Sequence, residues 1–383
     1  MRILGYFLPI SGLQFPTGVS QHAVNMFREI GRRLERDFRL VLYKDSGSEE
    51  QRTLRERCGD LDVEFVRWRQ ETAYRLGTFF QWPILDYIQT DCDWIYVPKE
   101  LPICSRKMKV AITVHDLLPF EPEHRWYAGG GSIMYRMRWR WLMRGVLRNA
   151  NLILTVSEFS KRRLLHFFPT IAPERVIAVG NGVADMFFDS SLQNQERILE
   201  IYGLEPRQYV LFSGGLQMRK GGDIIVQLSR RLYEEKVKLT IAVTGRRHDA
   251  TFQSLAQSTP VDPSLKRLKF LGYVPDQHLV ALLHHAFALI FPSRYEGFGL
   301  PAIEAMAAGC PVLFHPAGAL PEVVGEAGVP VVQNEANAFL DNILALLRDS
   351  HRREDLAAIG KARADMFRWS RCVDKLLAAM STF

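Results

Sequence analysis

The sequence has no apolar run near the ~20 residues a membrane-crossing helix needs, and no tandem repeat or low-complexity tract. A bundle of membrane helices, a solenoid and a disordered chain are therefore set aside. Cysteine is scarce: Cys58, Cys92, Cys104, Cys310 and Cys372 are scattered, odd in number and never in a Cys-x-x-Cys pair. Such a set argues against a disulfide framework or a zinc ribbon and reads as buried small hydrophobes in a reducing cytoplasm. No Gly-x-Gly-x-x-Gly follows the first apolar run, which disfavours a dehydrogenase. Met1–Ile10 superficially resembles a secretion signal. It carries one basic side chain and lacks a small-residue cleavage site, so it reads as a first strand.

What is present suits a globular enzyme. The 383 residues are 47% hydrophobic and 24% charged, enough apolar material for two cores. The net charge of +7, with a pI near 9.2, favours anionic partners such as nucleotides, phosphorylated lipids or an acidic membrane surface.

Short β-rich runs alternate with helical patterns. Strands are expected at Ile3–Leu8, Phe38–Tyr43, Val63–Val66, Trp94–Val97, Val110–Val114 and Leu152–Val156. Ser20–Glu35 carries apolar residues at helical spacing. After Asn181-Gly182-Val183 the chain turns polar through Asn194, the expected interdomain connection. A second alternation follows, with strands at Tyr209–Ser213, Leu239–Thr244, Leu268–Phe270, Ala288–Phe291 and Val312–Phe314. Helices fit Asp223–Glu234, His278–Ala286, Pro301–Ala308 and Ala336–Leu347. The pattern predicts an α/β protein of two doubly wound, Rossmann-like domains facing a central cleft, over residues 1–188 and 189–366. A helix within 367–383 packs back on the first domain.

Phe291–Val312 is the most informative segment. A strand ends at Phe291, and a loop containing Gly297 and Gly299 lets backbone approach a ligand closely. A short alanine-rich helix then begins, with Pro301 suited to its first turn and Gly309 to its cap. Its start would present free N–H groups and a positive dipole end to an anion. Glu296 and Glu304 flank that start. Leu211–Gly221 forms a second group: a strand runs into Gly214-Gly215, and Arg219-Lys220 follow before a helix, which suits a diphosphate clamp as well as a basic helix start. The third is Ile112–Pro119, where a strand delivers His115 and Asp116 into a loop.

The first of these segments resembles the motif of glycosyltransferase family 4, whose two glutamates are also separated by seven residues; similarity recurs at intervals from Gly18 to Leu340. The resemblance implies a GT-B fold and a retaining, metal-independent transfer from a nucleotide diphosphate-sugar, with no cofactor. By resemblance, Glu296 contacts the donor sugar hydroxyls, Glu304 the ribose, and the amides of Phe298, Gly299 and Leu300 the sugar and phosphates. Gly214, Arg219 and Lys220 match the diphosphate element. Many members have arginine where Gly215 stands, whereas one branch has Arg-Lys as here, so Lys220 carries over more firmly than Arg219. His115 matches the His-Asp-x-x-Pro element and reaches the sugar or reacting centre. Gly18 matches the N-terminal glycine loop beside the diphosphate, where an ordinary strand-to-helix turn would also serve. Tyr273 and Val274 match the segment framing the base. Ser157 reads first as a helix N-cap, and Glu322 as a structural helix-start residue.

The branch that joins His-Asp-Leu-Leu-Pro with Arg-Lys, similar to bacterial mannosyltransferases, implies a GDP-mannose or related GDP-sugar donor, with a UDP-sugar also open. The acceptor would be a hydroxyl of a glycan or polyprenyl-diphosphate-linked oligosaccharide. Lobe closure would exclude water, and no general base stands out, since the family's leaving phosphate accepts the acceptor proton. Two rivals share the scaffold: a nucleotide-sugar epimerase and a non-catalytic nucleotide-sugar-binding subunit. Asp91-Cys92-Asp93 matches a three-residue metal motif of another glycosyltransferase class but precedes a strand, so no metal site is expected. Arg136, Arg140, Arg144 and Arg148 recur every four residues in a basic, aromatic stretch. That stripe fits either a solvated face with aromatics in the core or docking to an anionic membrane or lipid-pyrophosphate acceptor. The expected location is the cytoplasm, including the inner face of the cell membrane, with no nucleic-acid partner.

Overall fold

The computed structural model describes residues 1–6, 17–43, 61–66, 68–88, 91–124, 133–190, 195–245 and 263–383, with positions 52, 56, 58 and 59 besides. Phe7 and Leu8 of the expected first strand, and residues 191–194 of the expected connection, lie outside them. Among the described residues no helix is long and apolar enough to cross a membrane, and the five cysteines form no disulfide, four of them being buried.

The chain forms two compact units, Met1–Gly182 with Trp369–Phe383, and Val183–Arg368. The division falls at Gly182/Val183 and not at 188/189, because 183–188 is tied to the end of the second unit. The Val183 N–H donates to the Phe367 carbonyl at 2.9 Å. The Arg368 guanidinium donates to Asp185 at 2.5 Å and lies 3.7 Å over the Phe188 ring.

In the first unit seven parallel strands run β3-β2-β1-β4-β5-β6-β7. They are β1 (Ile3–Tyr6), β2 (Phe38–Tyr43), β3 (Asp62–Val66), β4 (Trp94–Val97), β5 (Lys109–Val114), β6 (Leu152–Thr155) and β7 (Val176–Ala178). The central strands β1, β4, β5 and β6 are buried almost throughout, which is why they read as continuous apolar runs. Helix α1 (Gly18–Leu34) opens on a capping box in which Thr17 and Ser20 satisfy each other's amides, and it buries Ala23, Val24, Phe27 and Ile30. Further helices are α2 (Gln70–Phe80), α3 (Ile133–Asn149) and α4 (Glu158–Phe167), the last capped by Ser157, whose hydroxyl accepts from the Ser160 N–H at 2.9 Å. The final helix of the chain, Trp369–Thr382, lies against α1, with Arg33 donating to Asp374 at 2.6 Å. Asp91 and Asp93 both engage Arg2.

The second unit repeats the plan with six parallel strands in the order β10-β9-β8-β11-β12-β13. They are β8 (Tyr209–Ser213), β9 (Thr240–Thr244), β10 (Leu268–Gly272), β11 (Ala288–Phe291), β12 (Val312–Phe314) and β13 (Val329–Pro330). The flanking helices that matter below are α5 (Gln195–Ile201), α6 (Gly222–Glu234), α7 (Asp276–His285), α8 (Leu300–Ala307), α9 (Leu320–Val324), α10 (Ala336–Arg348) and α11 (Ser350–Ala364). With the Trp369–Thr382 helix as α12, the chain is two successive Rossmann-like α/β units.

Candidate functional site

In each sheet the winding direction reverses once, between β1 and β4 and between β8 and β11. Ligands of such sheets bind outside the carboxyl ends of the strands at that reversal. In the second unit β8 ends at Ser213 and feeds Gly214–Gly221, while β11 ends at Phe291 and feeds Pro292–Gly299. The two sequence segments thus meet at one point.

The meeting is electrostatic. Lys220 Nζ donates to Glu296 Oε1 at 2.6 Å, and Arg219 Nη1 stands 3.7 Å from the same oxygen while donating to the Tyr295 carbonyl at 3.0 Å. Both cations of the second segment therefore serve the first glutamate. Burial alone would discourage ionisation of Glu296, but the Lys220 and Arg219 charges and the Lys220 hydrogen bond outweigh it and hold its carboxyl below the usual range. Arg294 stitches the loops further. Its guanidinium donates to Asp223 through two bonds of 2.7 and 2.6 Å and to the Met218 carbonyl at 2.6 Å, and its N–H donates to the Arg219 carbonyl at 2.9 Å. The sequence reading missed this clamp, whose partners lie 71 positions apart.

Gly299 precedes α8 at φ 106°, and a Cβ there would meet Leu320 at 2.6 Å, so the turn accepts only glycine. Ala302 N–H donates back to the Gly299 carbonyl, whereas the N–H groups of Phe298, Gly299 and Leu300 have no protein partner among the described residues. Pro301 sits in the first turn, as the sequence suggests. Glu304, one turn on, is buried with no side-chain hydrogen bond among the described residues. Burial, then the charge of Asp276, push its carboxyl up to about 8. The two glutamates are thus in opposite states: Glu296 is ionised and paired, and Glu304 is protonated at neutral pH.

Gly214 adopts φ 112°, and the Gly214 and Gly215 amides are committed to the Thr244 carbonyl at 3.2 and 2.9 Å. Tyr273 and Val274 follow the carboxyl end of β10, the edge strand, with Tyr273 exposed and Val274 buried. Asp276, whose charge Glu304 feels, opens the next helix, which puts this segment on the Glu304 side. Gly318, absent from the sequence expectations, sits at φ 63° where a Cβ would lie 2.3 Å from the Glu296 carbonyl oxygen. The Ala319 N–H holds that oxygen at 2.9 Å.

In the first unit, β5 delivers His115 into a constrained pocket. Its N–H donates to Glu100 Oε1 at 2.6 Å, and its Nε2 faces the Pro98 carbonyl at 2.8 Å. A carbonyl only accepts, so Nε2 carries a proton. Asp116 accepts from the Leu118 N–H at 3.0 Å and so fixes the loop, not the imidazole. Packed edge-on to His115, with ring centroids 4.9 Å apart, is the fully buried His22. Burial, then the neighbouring His115, hold His22 well below its ordinary pKa, while Asn181 partly opposes them. Asn181 Oδ1 at 2.6 Å and Tyr96 OH at 3.0 Å occupy its two nitrogens. His22 was not anticipated; the one sequence signal for it is a histidine beside the apolar stripe of α1. Gly18 is the first residue of that helix.

Two family models match this chain: Glycosyltransferase Family 4 over residues 16–185 and Glycosyl transferases group 1 over residues 194–363. Among characterised relatives the chain is similar to O-antigen chain mannosyltransferase B of Escherichia coli, 31% identical over 303 residues that make up 78% of this chain and 76% of that one. It is also similar to MMP alpha-(1->4)-mannosyltransferase of Mycolicibacterium hassiacum, 30% identical over 62% of this chain and 55% of that protein. Among solved structures, Anabaena Alr3699/HepE in complex with UDP-glucose shares the fold along the full length of both chains, with a TM-score of 0.76 and 17% identity.

Proposed function

The chain belongs to glycosyltransferase family 4, with the GT-B fold, and from that premise we propose that it transfers a hexosyl group with retention, and without a metal, from a nucleoside diphosphate-sugar. The acceptor is a hydroxyl of a glycan or lipid-linked oligosaccharide. The observation that carries the reading is the part-buried Lys220–Glu296 pair beside the amides of Phe298, Gly299 and Leu300, which have no protein partner among the described residues. A diphosphate arriving there is neutralised by Lys220 and Arg219 and by the positive end of α8. Glu296 is then released toward the sugar hydroxyls, and Glu304 meets the ribose. Tyr273 and Val274 flank the base, and Gly214 leaves room for phosphate.

In the reaction the bond from the anomeric carbon to the phosphate oxygen breaks, and a bond to the acceptor oxygen forms on the same face. The acceptor proton passes to the departing diphosphate, so no side chain need act as base. Lys220 stabilises the charge that develops on that leaving group. His115 orients the sugar, the role that the family resemblance gives it. A mannosyl donor carried on GDP is favoured, because the relative matched over most of its length is named a mannosyltransferase.

Thermal-shift screening of GDP-, UDP- and ADP-sugars tests the reading, since a ligand that binds only the native state raises the melting temperature. GDP-mannose should give the largest shift. No shift with any of the three would overturn the assignment. Product analysis then excludes the rivals: an epimerase alters the free nucleotide-sugar without an acceptor, and a binding subunit transfers nothing.

A further inference from the structure

Helix α3 turns an unusual face outward. Its 17 residues contain five arginines and no acidic residue, and only Met143, Val146 and Leu147 are buried. The Arg136–Arg148 stripe read from sequence does not survive intact. A step of four residues advances a helix by about 40°, so Arg136 falls toward the partly buried side while Arg138, Arg140, Arg144 and Arg148 stay exposed. Interleaved with those four are Ile133, Met134, Met137 and Trp141, of which Met134 is 75% exposed and Trp141 52%. Of the aromatic residues expected in the core, Trp139 packs on it, whereas Trp141 faces out.

The strip does not stop at α3. The Phe79 ring at the end of α2, itself 63% exposed, lies 6.0 Å from the Trp141 ring, and Phe80 beside it is 73% exposed. Gly77 and Thr78 of α2, with Trp141, Arg144 and Arg148 of α3, line a groove of about 520 Å³. The groove lies at the amino ends of the strands, since the Arg175 guanidinium, just before β7, reaches the carbonyls of Leu147 and Ala150, just before β6. His115 is at the carboxyl end of β5. The face is thus separate from the site described above.

We propose that this face of α2 and α3 docks the protein on an anionic phospholipid bilayer. Large apolar side chains exposed together mark an interaction surface, and four exposed guanidinium groups among them suit a polyanion. A nucleic acid would answer the charge but offers nothing to Ile133, Met134 and Met137. A bilayer answers both: phosphates pair with the arginines while the aromatic and methionine side chains enter the acyl boundary. The long arginine stems let the charged heads stay at headgroup level above buried apolar neighbours.

Co-sedimentation of the full chain with vesicles of phosphatidylglycerol and phosphatidylcholine, against vesicles of phosphatidylcholine alone, tests this. Binding is expected only to the anionic vesicles and should weaken strongly in 0.5 M salt. Arg138→Gln and Arg144→Gln should each lower partitioning about fivefold, and Phe79→Ser with Trp141→Ser should lower it at least as much. Quenching of tryptophan fluorescence by brominated lipid should fall in Trp141→Phe. Each variant keeps its nucleotide-sugar thermal shift, which separates failure of docking from failure of the donor reading and verifies folding. No binding to anionic vesicles, equal binding to neutral ones, or variants that bind like the parent would each overturn the proposal.

Discussion

Lys220 Nζ and Glu296 Oε1 lie 2.6 Å apart although 76 positions separate the residues in the chain. The pair ties the loop after β8 to the loop after β11, and each partner is assigned a separate task toward the donor. A donor must therefore draw Lys220 partly away from a carboxylate that already satisfies it. That competition sets the following expectations.

Glu296→Gln keeps the shape of the loop and removes the charge that Lys220 now pairs with. Transfer should fall by about two to three orders of magnitude, as for loss of a group that acts on the transition state. GDP affinity should stay within about twofold or rise slightly, because Lys220 is freed for the diphosphate. Steady-state kinetics at saturating donor and calorimetric titration with GDP measure the two effects, and a variant as active as the parent would refute the role of Glu296.

Lys220→Met leaves Glu296 buried with Arg219 as its cation and the Ser293 hydroxyl beside it. Removing one partner of a buried pair costs ~3–5 kcal/mol, and the remaining arginine should reduce this to about 2 kcal/mol. Lys220→Met combined with Glu296→Gln should recover most of that stability in urea unfolding, yet recover no transfer. Additive losses in the double variant would show that the two side chains do not act as a pair.

Glu304 should give the protein a distinctive response to pH. Its folded carboxyl titrates near 8 against an ordinary value of 4.5, so between those limits the folded chain holds a proton that the unfolded chain has lost. Its contribution to stability is complete below about pH 4.5 and declines as pH rises through 8, at up to ~1.4 kcal/mol per pH unit. Glu304→Gln should flatten the decline in melting temperature from pH 5 to 8. If the ribose hydroxyls donate to this carboxylate, GDP binding expels the proton. Affinity should then rise severalfold from pH 6 to 8, with net proton release in titrations run in buffers of different ionisation enthalpy.

Gly318→Ala tests the support behind Glu296. The new methyl would sit 2.3 Å from the Glu296 carbonyl oxygen, on a backbone at φ 63°. A stability loss of about 2–4 kcal/mol by denaturant unfolding is expected from strain plus steric displacement. Turnover should fall beyond what that loss explains, while far-ultraviolet circular dichroism stays unchanged. Undiminished turnover would mean that the position of Glu296 does not depend on this contact.

Much of this arrangement can be read along the chain because the central strands are buried on both faces. Trp94–Val97, Ala288–Phe291 and Val312–Phe314 have the bounds their apolar runs suggest. Helix α11 was not anticipated, since it buries only Leu356, Gly360 and Ala364, and two of those three carry almost no hydrophobic signal. Strands β7 and β13 span three and two residues, too short for an alternation to register. The glutamates and Lys220 stand out through their local setting. The contacts between Arg294 and Asp223, between His22 and Asn181, and between Gly318 and Glu296 depend on chain crossings that no local pattern encodes.

The return of α12 to the first unit bears on how the protein is made. Residues 183–368 are spliced into the sequence of the first unit, so a ribosome completes the whole second unit before it releases the segment that covers α1. Until then the side chains of α1 that meet that segment, His22 against Trp369 among them, lack their partner on a nascent chain. The half that contains His115 is thus made in two instalments, one on either side of the second unit.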